Sequence, residues 1–225
     1  MRTVNHDRNS FAKTNIDSIH HRISILRQLL PKVNTMAEIC CGDCKRQYEL
    51  YRKELGDISY RGLDIDPQMI KKNKANQIDC ICGNALDAQV MKNFLHADVI
   101  FFGPPLSDHC DGHTLLQFNE VNPSFLDFLR LMYVDLKYDG LINCICPRST
   151  SLGDITWLYN EITGLDKEVK VPLIHYSHSN RTGNDEIHET RLKYIEVWFS
   201  KKHENNWEIL KLGETDSPSL DTQVK

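Results

Sequence analysis

From Ile16 onward, apolar side chains recur at spacings of three and four (Ile16, Ile19, Ile23, Leu26, Leu30), the stripe of an amphipathic helix capped near Asn15 or Asp17 and closed by Pro31. From Met36 the pattern changes to short apolar runs separated by charged helical segments. The runs predict strands over Met36–Cys40, Tyr60–Ile65, Ile78–Cys82, Asp98–Phe102 and Leu141–Cys146. Between them the spacing predicts helices over Lys45–Leu55, with Tyr48 and Leu55 turned inward, over Pro67–Asn76, near Val90–Leu95 and over Pro123–Lys137. Strands alternating with helices in this way imply a parallel sheet covered on both faces.

Past Pro147 the rhythm changes. A helix around Asp154–Ile162 precedes a run over Glu168–Tyr176, a polar segment Ser177–Arg191 and a second run over Leu192–Ser200. Two strands with no helix between them pair antiparallel, and the polar segment reads as a surface excursion too long for a tight turn. The expected architecture is therefore α/β: a seven-stranded, mostly parallel sheet with an antiparallel C-terminal hairpin and helices on both faces. One domain over 15–210 is expected, between a polar arm at 1–14 and a loose polar tail at 211–225.

Composition supports a single globular unit: 225 residues, 40% hydrophobic and 26% charged. No run approaches the roughly 18 apolar residues of a membrane span, and the start MRTVNHDRNS lacks the apolar block of a secretory signal. A cytoplasmic location with no membrane partner is the expectation. The net charge of −4 favours a small or compact acceptor, so contact with RNA or a nucleotide would need a local basic patch. Of the eight cysteines, Cys40, Cys41, Cys82, Cys144 and Cys146 sit in apolar β-type runs and are expected as reduced core thiols.

Four strings carry candidate chemistry. In AEICCGDCKRQ a strand enters a tight turn at Gly42 and then a helix, which exposes backbone N–H groups and a positive helix end. In RGLDIDP, Asp64 ends the second strand with Ile65 beside it, where a carboxylate accepts both hydroxyls of a ribose. In ICGNAL, Asn84 and the backbone of Ala85 can meet an adenine edge. In ADVIFFGPPLSDHCDGH, Gly103-Pro104-Pro105 forms a turn whose prolines cannot donate, so it presents carbonyl groups. One glycine is sparse for cradling phosphates. A nucleoside with an amino-acid tail suits the turn better than a dinucleotide.

In this order the strings resemble the class I S-adenosylmethionine-dependent methyltransferases over about Asn15 to Ser200. The resemblance implies a Rossmann-like sheet and S-adenosylmethionine as cofactor. Glu38 looks like the first acidic residue of the cofactor motif, Cys40, Gly42 and Cys44 stand where its glycines usually lie, and Asp64 looks like the ribose carboxylate. Asn84 stands where an aspartate often meets the adenine amino group. ICGNAL, FLHADVIFFGPPL and ICPRSTSLGDITWL look most like the trimethylguanosine synthase group, which methylates the exocyclic N2 of a capped guanine in RNA. That group carries Asp, Asn or Ser before the prolines and an aromatic after them; here Gly103 and Leu106 occupy those positions. The resemblance implies methyl transfer at Gly103, Pro104 and Pro105, with an exocyclic amine of a nucleobase or nucleotide as first acceptor and a small-molecule or protein nitrogen, oxygen or sulfur as second.

Around this turn, Asp108 and His109 are candidates to line the acceptor pocket, and Arg148 after the fifth strand can bring a guanidinium to an anionic acceptor. Asp108, His109, Cys110, Asp111 and His113 are metal-ligand types but show no helical or zinc-knuckle spacing, so no metal is expected there. Asn180, Arg181, Asp185 and His188 offer one wall of an acceptor site, and the arm with Arg2, Arg8, Phe11 and Lys13 a lid. Two rival classes stay open. Cys41-Gly42-Asp43-Cys44 is also the C-x-x-C of thiol oxidoreductases, where a helix start favours a thiolate; and the altered residues flanking the prolines suit a cofactor-binding module without turnover.

Overall fold

The computed structural model describes residues 16–106, 117–181, 189–202 and 208–210. The expected arm and tail lie outside these residues, as does the loop carrying Asp108 and His109. Five parallel strands, β1 (Thr35–Ile39), β2 (Ser59–Asp64), β3 (Cys80–Cys82), β4 (Val99–Phe102) and β5 (Leu141–Pro147), are followed by β6 (Lys170–Arg181), β7 (Glu189–Ser200) and β8 (Glu208–Leu210). The sheet order is β3-β2-β1-β4-β5-β7-β6-β8. β7 is antiparallel to both β5 and β6, so the hairpin inserts its second strand beside β5. The short β8 adds in parallel to β6 and makes eight strands where seven were expected. Its three residues, EIL, are too few for a periodic signal.

Alternation along the strands sorts the core into two layers. Met36, Val99 and Phe101 face one side with Ile19, Ile23 and Leu26 of α1 (Ile16–Leu29) and Tyr51 of α2 (Lys45–Leu55). Ala37, Ile39, Ile100 and Phe102 face the other with Phe125 and Phe128 of α5 (Phe125–Leu129) and Ile155 and Leu158 of α6 (Leu152–Leu165). β4 is apolar and buried throughout, as a central parallel strand must be. α3 (Pro67–Ala75) starts with proline at its first turn and Asp66 as N-cap, whose side chain accepts from the Gln68 N–H at 2.8 Å. α4 (Ala88–Met91) runs into a short 3-10 turn, Lys92–Phe94.

Several expectations shift. The inward residues of α2 are Gln47 and Tyr51, with Tyr48 and Leu55 only half-buried, because Tyr51 stacks at 5.5 Å on Phe101 of the central strand. The helix expected over Pro123–Lys137 begins at Phe125 behind its N-cap Ser124 and widens into a π-helical stretch, Arg130–Asp135. β6 reaches Arg181 and β7 starts at Glu189, so the expected excursion is mostly ladder, with a bulge at Ser177/His178. Cys82, expected in the core, is exposed at the carboxyl end of the edge strand β3, whereas Cys80 at the start of the same strand is buried.

A buried ion pair joins the two ends of the described chain. Arg22 of α1 donates through Nε to Glu196 Oε1 of β7 at 2.8 Å, both side chains fully buried. Asn143 Nδ2 donates to the other carboxylate oxygen at 3.3 Å, and His175 Nδ1 lies 4.0 Å from it. Burial pushes the Glu196 carboxyl up, but the Arg22 charge and His175 outweigh it and hold it below its ordinary value.

Candidate active site

Strands β1, β2 and β3 step outward in one direction before the chain returns to place β4 on the other side of β1. The gap between the carboxyl ends of β1 and β4 is thus a topological switch point, where open α/β sheets bind ligands. The loops after β1 and β4 flank it, and they are tied together: the Gly103 N–H donates to the Ile39 carbonyl at 3.1 Å.

The turn after β1 is held at both backbone groups of Gly42. Its N–H donates to Asp64 Oδ2 at 2.7 Å, and its carbonyl accepts from Asn73 Nδ2 at 2.7 Å. The second oxygen of Asp64 accepts from the Asp66 N–H at 2.9 Å. A carboxylate offers about four acceptor sites, so Asp64, partly exposed at the end of β2, keeps capacity for ribose hydroxyls. Gly42 has φ 52° and Cys40 has φ 60°. The first of the two non-glycine positions thus takes the left-handed backbone that glycine enters without penalty, a conformation worth roughly 1–2 kcal/mol of strain for other residues.

The remaining predicted cofactor residues divide. Ile65 is 72% exposed, an apolar surface next to the Asp64 carboxylate. Asn84 is exposed and uses Oδ1 to accept from the Leu86 N–H at 2.9 Å, while Ala85 is buried beneath it. Glu38 lies elsewhere: it is buried on the α1/α2 side of the sheet and accepts from the Tyr60 hydroxyl at 2.6 Å. Burial raises its carboxyl above the usual range, with the Tyr60 hydrogen bond opposing. Cys44 is fully buried with its sulfur turned into the core, so only its backbone is left to face a ligand. The Cys40 thiol is pushed up to about 12 by burial and then by the Asp64 charge, and stays protonated.

On the acceptor side, Gly103 and Leu106 are half-buried, Pro104 is buried and Pro105 exposed. Leu106 packs against the α5/α6 core layer. Arg148 is exposed directly after β5. The predicted Asp108 and His109 lie outside the described residues, as do Asp185, His188 and the arm. Asn73 and Lys72 were not legible as site residues: Asn73 pins Gly42, and Lys72 Nζ reaches Asp43 Oδ2 at 2.7 Å. Both sit on an ordinary polar helix, and only the packing of α3 against the turn brings them there.

Neither a protein family nor a curated protein sequence matches this chain. Solved structures do. The plantazolicin methyltransferase BpumL with a triazolic desmethylPZN analog and SAH superposes with TM-score 0.56 at 18% identity, over 88% of this chain and 89% of that one. The precorrin-6y C5,15-methyltransferase of Geobacter metallireducens GS-15 gives 0.54 at 13%, over 85% and 91%. A candidate RNA methyltransferase of Pyrococcus horikoshii gives 0.53 at 11%, over 84% and 85%. The fold is therefore the one these methyltransferases share, with mostly parallel strands and the C-terminal antiparallel hairpin expected above. Among the described residues, no helix is long and apolar enough to cross a membrane.

Proposed function

We propose that this chain is an S-adenosylmethionine-dependent methyltransferase acting on an exocyclic amine of a nucleobase or nucleotide. The observation that carries the cofactor reading is the Gly42–Asp64 hydrogen bond at the switch point, which fixes an acceptor carboxylate beside an open turn. The residues present fit the group: Asp64 for the ribose hydroxyls, Ile65 as an apolar platform for the base, Asn84 and Ala85 at its edge, and the backbone from Cys40 to Cys44 around the methionine tail. When bound, S-adenosylmethionine supplies an electrophilic methyl on a good thioether leaving group.

The chain's own work is positioning. The Gly103 carbonyl, followed by two residues that cannot donate, accepts a hydrogen bond from the acceptor amine and aims its lone pair. Transfer leaves a cationic methylated nitrogen that loses its extra proton to water once the product leaves the site, so no strong base is required. The buried Pro104 and the apolar Leu106 keep solvent from the reacting nitrogen. Asp108 and His109 are the sequence candidates for polar contacts to the acceptor, and the exposed Arg148 guanidinium is an anchor for an anionic group on it. The amine reading rests on the Gly103–Leu106 string and its similarity to the guanine-N2 methylating group; the structural neighbours are named for plantazolicin, precorrin-6y and RNA.

The thiol oxidoreductase reading loses ground on geometry. Cys41 and Cys44 are 4% and 0% exposed, which denies a protein disulfide access to either sulfur. The deciding experiment incubates the protein with methyl-labelled cofactor and separated RNA, protein and metabolite fractions. Label in nucleobase amines supports the proposal; label in another fraction transfers the activity to another acceptor, and binding of S-adenosylhomocysteine without any transfer identifies a non-catalytic module.

A further inference from the structure

Beneath the Gly42 turn lies a cluster that the proposed reaction does not use. The sulfurs of Cys41, Cys44 and Cys80 all lie within 4.8 Å of one another, and all three residues are buried. Two come from the turn and the first cap of α2, and the third from β3. Three thiolates around one zinc ion at about 2.3 Å stand roughly 3.8–4.0 Å apart, so closing on an ion requires less than about 1 Å of movement per pair.

The sheet has been left open for this cluster. Glu38, Gly62 and Cys80 lie abreast across β1, β2 and β3 and point to one face. The middle position carries no side chain. A Cβ on Gly62 would stand 2.8 Å from the Cys80 sulfur and 2.9 Å from the Cys41 sulfur, so the space those two sulfurs occupy exists because residue 62 is glycine. Above them, the fully buried Asn73 amide points Nδ2 at the Cys41 sulfur, 3.8 Å away, while also holding Gly42. An N–H donor of that kind supports a thiolate ligand, as outer-shell partners do in metal sites. The start of the 11-residue α2, at Cys44, adds the favourable end of a helix dipole. Cys144 and Cys146 make a contrast: both are buried, yet neither joins a convergent group among the described residues.

We propose that Cys41, Cys44 and Cys80 form a three-thiolate site for a thiophilic d10 cation that pins the Gly42 turn to β3. Hard cations are excluded by the all-sulfur donor set. Charge favours Zn2+, since three thiolates leave a net −1 on zinc and −2 on Cu+, and burial penalises the larger charge. The Cys-x-x-Cys spacing supplies a chelating pair and the distant strand the third ligand. Two thiols would suffice for a disulfide; three converging beside Gly62 suit an ion.

The test is metal binding to the reduced whole chain, independent of any methyl transfer. Titration with Zn2+ against a chromophoric chelator should show one tight equivalent, and Cd2+ should produce a thiolate-to-metal charge-transfer band that saturates at one equivalent. Cys80→Ser should abolish both, Cys144→Ser should preserve both, and Asn73→Ala should weaken affinity by about 10–100-fold. X-ray absorption at the zinc edge of the wild-type protein needs no variant to fold, and should show three sulfur neighbours at about 2.3 Å. Titration with Cu+ tests the other d10 ion, and uptake of Cu+ alone with three sulfur neighbours also supports the site. The proposal is overturned by failure to take up either ion, by an equivalent that survives Cys80→Ser, or by a metal with nitrogen and oxygen neighbours in place of the three sulfurs.

Discussion

The backbone N–H of Gly42 donates to Asp64 Oδ2 over 2.7 Å, so the turn after the first strand and the acid ending the second form one unit. With Asn73 holding the Gly42 carbonyl, the turn is fixed from two sides before any ligand arrives. Preorganisation of this kind lowers the ordering cost of binding.

Asp64→Ala therefore removes both a ligand acceptor and the anchor of the turn. S-adenosylhomocysteine binding should weaken at least tenfold, about 1.4 kcal/mol. Titration calorimetry reads this directly. An affinity within threefold of wild type would remove Asp64 from the site.

Ile65 separates binding from folding. At 72% exposed it contributes almost nothing to the core, so Ile65→Ser should leave stability within about 0.5 kcal/mol. If its side chain covers a base, affinity for S-adenosylhomocysteine should drop by about fivefold, on the order of 1 kcal/mol of lost apolar burial. Unchanged affinity at unchanged melting temperature would assign the base to another surface.

Glu196→Gln leaves Arg22 buried without its counter-charge. The expected loss is about 3–5 kcal/mol in urea unfolding at neutral pH. In the wild-type protein the Glu196 carboxyl lies below its ordinary value. Its contribution is thus present above the unfolded-state pKa of about 4.3 and is lost as pH falls through the lower folded value. The variant should lack this part of the acid-side decline; identical pH profiles for the two proteins would contradict it.

Phe128 stacks on Phe102 with ring centres 3.9 Å apart, and both are fully buried. Phe128→Ala should destabilise by about 3–5 kcal/mol through lost burial and cavity formation. A loss below about 1 kcal/mol would mean that α5 collapses into the space.

Residue pattern made the first five strands and the hairpin legible, because central strands such as VIFF at Val99–Phe102 are buried on both faces and read as continuous apolar runs. Edges were less legible. Cys82 lies in an apolar run, yet at the carboxyl end of the edge strand it is exposed. On α2 the choice between Tyr48 and Tyr51 turned on stacking against Phe101, a contact between residues 50 apart in sequence. At the candidate site, the places of Asp64 and Gly42 at a strand end and a turn were readable, whereas Glu38, on β1 just ahead of that turn, faces the α1/α2 side of the sheet and meets Tyr60. Cys41 and Cys44 were visible as a pair. Cys80 joins them only because β2 and β3 pair in the register that sets Gly62 beside it.

The Arg22–Glu196 pair spans 174 positions of the chain. A nascent polypeptide leaving the ribosome exposes its opening helix long before the strand that neutralises this guanidinium has been translated. Until that strand is in place, α1 can pack on the sheet only with a buried guanidinium that lacks its Glu196 partner, so a fragment cut ahead of β7 is expected to lose about 3–5 kcal/mol from this one contact.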